Sequence, residues 1–434
     1  VTWLKVIDAT QLETFNRGRM LAFSADASLR ASVEVMLTEV RNLGDAALLK
    51  YARQFDSPEV AQVLATDQEI AEASVPQEHE NAIRLAIDRV REFHESQKKR
   101  LMEGWKPANG CLEWMEDGVG QRWRPLDSVG VYVPGGLASY PSSVIMNAVP
   151  AQVAGVRRVV VATPAQKSGF LSAAVGVALR LCGIHEVLKV GGAAAIGGFA
   201  FGTESIAPVD KIVGPGNRWV NEAKRQVWGM VGLDGYAGPS EVCVVADETT
   251  HPPFAAADFL TQIEHAIDNA GFLVCHDLKK LEEIDWAIGQ QLKDAPRRSI
   301  LEAAFQSASI AVQTESLDQS IIAVNQLAPE HLTIATQQPD RVAQQIRHAG
   351  CILMGEWSPE SAGDFVAGPS HTLPTLRSAR FGSPVNVVDF WKIQSLIQLD
   401  RDQVTELVPT ITAFGAMEGF PAHAFGARVR LAID

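Results

Sequence analysis

The chain is poor in cysteine, with five among 434 residues. Cys111, Cys182, Cys243, Cys275 and Cys351 are odd in number, lack any Cys-x-x-Cys spacing and mostly lie in apolar stretches. That argues against a disulfide framework and points to reduced, buried thiols of a cytosolic protein. No run of lysine and arginine occurs. Acids outnumber bases 51 to 38, for a net charge of −13, which excludes nucleic acid and anionic membranes as natural partners. No apolar stretch approaches the roughly 20 residues a membrane helix needs. The opening Val1-Thr2-Trp3-Leu4-Lys5 lacks a basic segment followed by an apolar one. The expected protein is soluble and cytoplasmic. There is also no His-Glu-x-x-His pair, no Gly-x-Gly-x-x-Gly fingerprint, no internal repeat and no low-complexity tract.

What is present is apolar material: 47 % of the residues are hydrophobic, ample for two or more packed domains. Residues 1 to about 110 read as helical. Val33, Met36, Leu37, Val40 and Leu43 share one helical face, Gly44 stops that helix and Asp45 is placed to cap the next. Ala82, Leu85, Ala86, Val90 and Phe93 repeat the pattern. From about residue 125, β-branched runs alternate with helical segments. Strands are predicted at 129–133, 158–162, 186–190 and 211–213, with a helix through 153, another at 168–181 and a charged one through Gln226. A second series has strands at 242–246, 271–276, 309–313, 331–335 and 351–354. Such alternation predicts parallel sheets covered on both faces. The expected fold is α/β, with two Rossmann-like parallel-sheet units, a helical N-terminal region and a helical C-terminal tail. Its opening helices are expected to pack on the unit built from 241–380. Residues beyond about 385 are expected to be helical and outside both sheets.

Four of the histidines beyond residue 260 stand in clusters with a carboxylate: Gln262-x-Glu264-His265, Glu330-His331, Asp364 with His371, and Glu418 with His423. A carboxylate beside an imidazole can bind a metal or move protons near neutral pH. Gln262 and His265, three apart on a helix, would share a face. Glu330 and His331 would point to opposite faces of a strand, or together into a cleft at a strand edge; spacing leaves both open. Three strands end in glycine turns, at Gly135-Gly136, Gly191-Gly192 and Gly214-Pro-Gly216. At one sheet edge they would let a ligand approach the backbone and place its anionic groups at helix N-termini.

On these residues the sequence resembles the histidinol dehydrogenase family over nearly its whole length. The segments that carry the resemblance are Ser128-Val-Gly-Val-Tyr132-Val-Pro-Gly-Gly136, Phe201-Gly-Thr-Glu-Ser205, Gly214-Pro-Gly-Asn217 with Glu222-Ala-Lys-Arg225, and Ala237-Gly-Pro-Ser-Glu-Val242. Further along are Gln262-x-Glu-His265, Pro329-Glu-His-Leu332, Ser358-Pro-Glu-Ser-Ala-Gly-Asp364, His371-x-Leu-Pro-Thr375 and Glu418-x4-His423.

The resemblance implies an NAD-dependent, zinc-containing enzyme that oxidises L-histidinol to L-histidine through the aldehyde, in histidine biosynthesis. It implies Gln262, His265, Asp364 and His423 as zinc ligands, and Glu330 and His331 as the acid/base pair. Substrate would meet Ser240, His371 and Glu418 as well as His331 and the zinc ligands. NAD would meet Tyr132 and Asn217. A homodimer is implied, in which the C-terminal tail crosses so that His423 completes the neighbour's site. The implied domains are an N-terminal segment over 1–29, a first α/β domain of 30–130 plus 241–384, an NAD-side domain over 131–240, and a dimerisation tail over 385–434. The chain departs from the family pattern at Ala194, where a glutamine that contacts NAD is usual, and at Tyr236, Ala266-Ile267 and Pro369-Ser370. Other readings are a dehydrogenase of the same fold for another small polar alcohol, a zinc- or metabolite-binding paralogue without turnover, and a zinc hydrolase with Glu330 as base.

Overall fold

The computed structural model describes residues 3–23, 27–103, 106–108, 111–135, 138–236 and 238–432. Gly136 and Ala237 of the motifs above, and the first two residues, lie outside them, as does the side chain of Cys111. The chain opens with strand β1 (Lys5–Asp8) and helices α1 (Leu12–Phe23), α2 (Ala27–Leu43), α3 (Asp45–Tyr51), α4 (Asp67–Glu72) and α5 (Gln77–Leu101). Strands β2 (Lys106–Ala108), β3 (Cys111–Glu116) and β4 (Val119–Pro125) follow. An alternating series runs β5 (Ser128–Tyr132), α6 (Pro141–Ala154), β6 (Arg158–Ala162), α7 (Ala173–Leu181), β7 (Glu186–Leu188), α8 (Gly192–Phe201), β8 (Lys211–Val213), α9 (Arg218–Val227) and β9 (Gly232–Leu233). A second runs β10 (Glu241–Ala246), α10 (Pro252–Ile263), β11 (Ala270–Cys275), α11 (Leu278–Leu292), α12 (Arg298–Ser307), β12 (Ile310–Gln313), α13 (Leu317–Leu327), β13 (His331–Ala335), α14 (Pro339–Ala343), β14 (Cys351–Met354) and α15 (Glu360–Phe365). The chain ends with β15 (Trp391–Ile397), α16 (Arg401–Met417) and α17 (Pro421–Arg428).

Two parallel sheets form, as the alternation predicts. One has the order β7-β6-β5-β8-β9; the other has β1-β12-β11-β10-β13-β14. Leaving β1 aside, each follows the 3-2-1-4-5 order of a doubly wound sheet, with its switch point between β5 and β8 or between β10 and β13. Every residue of β10, β11 and β13 is buried, which is why these segments read as continuous apolar runs rather than alternating ones. By contacts the chain divides into two units. One is Val1–Lys98 with Leu126–Phe390 and holds both parallel sheets; the other is Lys99–Pro125 with Trp391–Asp434.

Several expectations need correction. The opening region is not wholly helical, because β1 pairs in parallel with β12. The opening helices do not pack mainly on the 241–380 unit. Val33, Leu37 and Val40 of α2 share a core with Ala193, Ile196 and Phe199 of α8 and Val220 of α9, whereas α1 goes to the other sheet, against α13. Residues beyond 385 are not all helical: β15 pairs antiparallel with β4 in a four-stranded sheet, β15-β4-β3-β2. Leu43 is exposed rather than in the core. Asp45 does not cap α3 but is its first residue, and its N–H is taken by Glu204 Oε2 at 2.8 Å. Helix α7 starts at Ala173, not 168, because Gly169 turns the chain at φ +79°. In α5 the buried face is Ile83, Ala86, Ile87, Val90 and His94, whereas Ala82, Leu85 and Phe93 are exposed.

Candidate active site

Strands β10 and β13 are neighbours, with Val242 beside His331 in register. Glu241 opens β10, His331 opens β13, and Glu330 stands one residue earlier. A strand start offers backbone N–H groups that need an acceptor. Here Glu241 N–H donates to Glu330 Oε2 at 2.8 Å. Because the pair sits at a strand start, both side chains enter one buried cluster. His331 Nδ1 lies 3.3 Å from the Glu241 carbonyl oxygen, 3.6 Å from Glu360 Oε1 and 3.7 Å from Glu330 Oε2. Its Nε2 lies 3.4 Å from Asp364 Oδ1.

Burial pulls the His331 pKa down, but Glu330, Asp364 and Glu360 outweigh it and hold the imidazole well above its usual 6.5. Burial pushes Asp364 up, but its hydrogen bond to His331 leaves it below its ordinary value. Glu360, at the N-terminus of α15, is pushed up to about 7 by burial and the neighbouring acids. Its Oε2 accepts the Thr333 hydroxyl at 3.3 Å.

Behind Glu330, Glu241 is pushed up to about 7 by burial, against the pull of Arg19. Arg19 Nη1 lies 3.0 Å from Glu241 Oε1, and its guanidinium stands 4.8 Å from the Phe272 ring centre.

Gln262 joins the cluster from α10. Its Nε2 donates to Asp364 Oδ2 at 2.7 Å, and its backbone carbonyl accepts from Asn269 Nδ2 at 2.8 Å. Asn269 Oδ1 in turn accepts the Ser240 N–H at 3.1 Å, so Ser240, Gln262 and Asp364 are tied together. His371 Nδ1 donates to the Asp364 carbonyl oxygen at 2.9 Å. Its Nε2 lies 3.5 Å from Ser143 Oγ, and burial holds its pKa below 6.5. His265 does not share the helix of Gln262, because α10 ends at Ile263 with Glu264 as its C-cap. It still lies close enough to act electrostatically on Asp364 and His371. A cavity of about 400 Å³ is lined by His331, Cys351, Trp357, Ser370, His371 and Leu373. Glu418, the C-cap of α16, and His423, in α17, belong to the other unit and are exposed there. Among the described residues, no three His, Cys, Asp or Glu side chains are gathered as a metal set.

On the other sheet the glycine turns lie at the C-terminal strand ends. Tyr132 closes β5, and its hydroxyl accepts the Gly192 N–H at 3.1 Å; burial pushes its pKa up to about 12. Gly191 N–H donates to Asp56 Oδ2 at 2.8 Å, and burial pushes that carboxyl up to about 6. Gly214 has φ +111°, and a Cβ there would stand 2.2 Å from the Tyr132 carbonyl oxygen, so only glycine fits. Asn217 caps α9, with Oδ1 accepting from Trp219 N–H at 3.0 Å and Val220 N–H at 3.2 Å. Ala194 is fully buried in the core between α2 and α8.

Sequence reading missed Glu241, Glu360, Arg19, Asp56 and Ser143. The first two stand inside quoted motifs, Glu241 beside an apolar run and Glu360 four residues before Asp364. Arg19 and Asp56 carry no local signal, because what makes each matter is far along the chain.

A family model described as histidinol dehydrogenase matches residues 22–431. The chain belongs to the histidinol dehydrogenase family. It is 43 % identical over 408 residues to the histidinol dehydrogenase of Geobacillus kaustophilus, covering 93 % of this chain and 94 % of that protein. It is 44 % identical over 399 residues to that of Bacillus subtilis, covering 91 % of each. The crystal structure of histidinol dehydrogenase from Elizabethkingia anophelis superposes with a TM-score of 0.88 at 32 % identity, covering 99 % of this chain and 98 % of that one. Membership of this family makes the protein an oxidoreductase.

Proposed function

We propose that this protein oxidises L-histidinol to L-histidine through the aldehyde, in two NAD-dependent steps of histidine biosynthesis. The observation that carries the reading is the buried Glu330–His331 pair, held beside Asp364 and Gln262 at the wall of a cavity. His331 Nε2 takes the hydroxyl proton in the first step, and Glu330 holds the water that hydrates the aldehyde before the second. Ser240 and His371 border the same cluster and would contact the substrate, with Glu418 supplied by the tail.

Both implied groups suit the residues present. Glu330, Glu360 and Asp364 gather around His331, and Glu360 Oε1 is buried without a hydrogen-bond partner, an acid-rich setting that a cation suits. Gln262 offers an amide oxygen, Asp364 a carboxylate and His265 an imidazole, an acceptable donor set for zinc, with His423 as the fourth. The open space around Gly192 and the starts of α8 and α9 suit a dinucleotide over Tyr132 and Asn217. Ala194, being buried, offers NAD no polar contact. When bound, NAD supplies the hydride acceptor and zinc the positive charge that fixes the substrate's nitrogen atoms.

We also infer a homodimer with an exchanged tail. In the tail's helices only Gly415 and Ala424 are buried, while Phe414, Met417, Phe420 and Phe425 are exposed, which supports a partner covering them. No described helix is long and apolar enough to cross a membrane. Cys182, Cys243, Cys275 and Cys351 are free, which supports a cytoplasmic setting.

The deciding measurement is NADH formed per histidinol consumed, with and without a chelator. Two NADH per histidinol, lost on chelation, is expected. No NADH from histidinol at saturating NAD and zinc would overturn the reading.

A further inference from the structure

The geometry points to Glu360 as the positioning residue that holds the His331 ring and balances its charge when His331 carries the substrate's proton. This rests on the proposal that His331 is the base. Glu360 is wholly inaccessible to solvent. Its Oε2 is anchored by the Thr333 hydroxyl, two residues along the same strand as His331, and its backbone N–H by Asp258 Oδ1 at 3.1 Å. The other oxygen, Oε1, has no hydrogen-bond partner. It faces His331 Nδ1 at 3.6 Å.

A buried carboxylate oxygen without a partner is costly, and a shift of a few tenths of an ångström toward an N–H removes that cost. Glu330 also lies near Nδ1, but its Oε2 is already committed to the Glu241 N–H. The Glu241 carbonyl at 3.3 Å can accept from Nδ1 but carries no full charge. Glu360 Oε1 is thus the buried carboxylate oxygen near Nδ1 that lacks a hydrogen-bond partner. With Nδ1–H turned toward it, the lone pair for proton transfer is confined to Nε2. When Nε2 takes the hydroxyl proton, the imidazolium has the buried Glu360 carboxyl beside it, and the new positive charge favours the ionised form of that carboxyl. No covalent bond changes at Glu360.

The test is Glu360→Gln, which keeps the shape and an acceptor oxygen but removes the charge. Expected is a kcat for histidinol lowered roughly a hundredfold, within the range general-base catalysis supplies, with KM for histidinol and NAD unchanged. Glu360→Asp should recover part of the lost rate. A Gln variant with wild-type kcat overturns the proposal, as does a loss confined to KM. If that variant does not fold, Thr333→Val frees the carboxylate without removing it. It is expected to lower kcat several-fold at constant KM, and an unchanged kcat overturns the proposal. His331→Asn run alongside separates the two claims. If that variant keeps its rate, the base assignment fails. If it is inactive while the Glu360→Gln variant is normal, only the role of Glu360 fails.

Discussion

Replacing Arg19 with methionine should destabilise the protein in a way that depends on pH, because its partner is a buried acid. Arg19 and Glu241 are 6 % and 1 % exposed and 3.0 Å apart. The folded protein holds the Glu241 pKa at about 7, against an ordinary 4.5. Folding therefore favours the protonated form. The native state suffers nothing from this group below the unfolded value. It loses stability as pH climbs from there to the folded value, by about 3 kcal/mol in all. Without Arg19 the folded pKa rises further, so the loss continues above pH 7 where the wild-type curve has flattened. Below pH 7 Glu241 is neutral in both proteins, and the variant forfeits only packing on Phe272 and weak hydrogen bonds, about 1 kcal/mol. Well above it, the variant buries a carboxylate without its cation, at about 3–5 kcal/mol. Urea unfolding midpoints at about pH 5.5 and about pH 9 measure both limits. An equal decrement at the two pH values would refute the reasoning, since it would mean that the pair acts by shape alone.

Three further outcomes are expected. Glu330→Gln should slow oxidation of the aldehyde more than oxidation of histidinol, in single-turnover assays started from each; equal loss in both rejects its role with water. Gly214→Ala should cost about 1–3 kcal/mol of backbone strain and raise the KM for NAD, because its Cβ meets the Tyr132 carbonyl; an unchanged KM would separate this turn from the cofactor. Mixing His423→Asn chains with His331→Asn chains should restore activity to a fraction of the sites in mixed dimers, and no recovery argues against an exchanged tail.

The parallel sheets were legible because their central strands, such as β10, β11 and β13, are buried on both sides and so read as unbroken apolar runs. Strand β1 was not, because its four residues bury one side chain, Ile7, and its partner lies 305 residues away at Ile310. The inner face of α5 was misread by about one position. It contains His94, whose Nδ1 is satisfied by the Val90 carbonyl at 2.8 Å, and a buried but bonded imidazole is invisible to a hydrophobic pattern. In the site, the residues at Glu330, His331, Asp364 and His371 stood out by type. The cluster's second layer did not. Glu241 and Glu360 look like single acids flanking a strand or helix, and only the fold shows that one leans on Arg19 and the other on Thr333 and His331.

The two sheets share one strand order but present opposite ends to the chemistry. The first offers the C-terminal ends of β5 and β8, where glycine turns lead into helix N-termini, the end at which the proposed assignment puts the dinucleotide. The second offers the N-terminal ends of β10 and β13. Strand starts also expose N–H groups, and here, as at Gly191 and Asp56 on the first sheet, a carboxylate of the protein itself uses one, through Glu241 N–H and Glu330. Acids can gather at this edge without being neutralised by lysine. Among the described residues that the cluster touches, the cations are Arg19 and the histidines. The acids at this edge hold the His331 imidazole well above its usual pKa. In the proposed assignment, a cation bound through Asp364 and Gln262 would take up the charge of Asp364 and free His331 Nε2 to accept a proton. Helix α6 joins the two edges: its Asn147 donates to Thr372 Oγ1 at 3.0 Å, and its Met146 carbonyl accepts from Ser370 Oγ at 2.8 Å. In the proposed assignment, substrate at the second sheet and cofactor at the first are linked by a helix rather than by a loop.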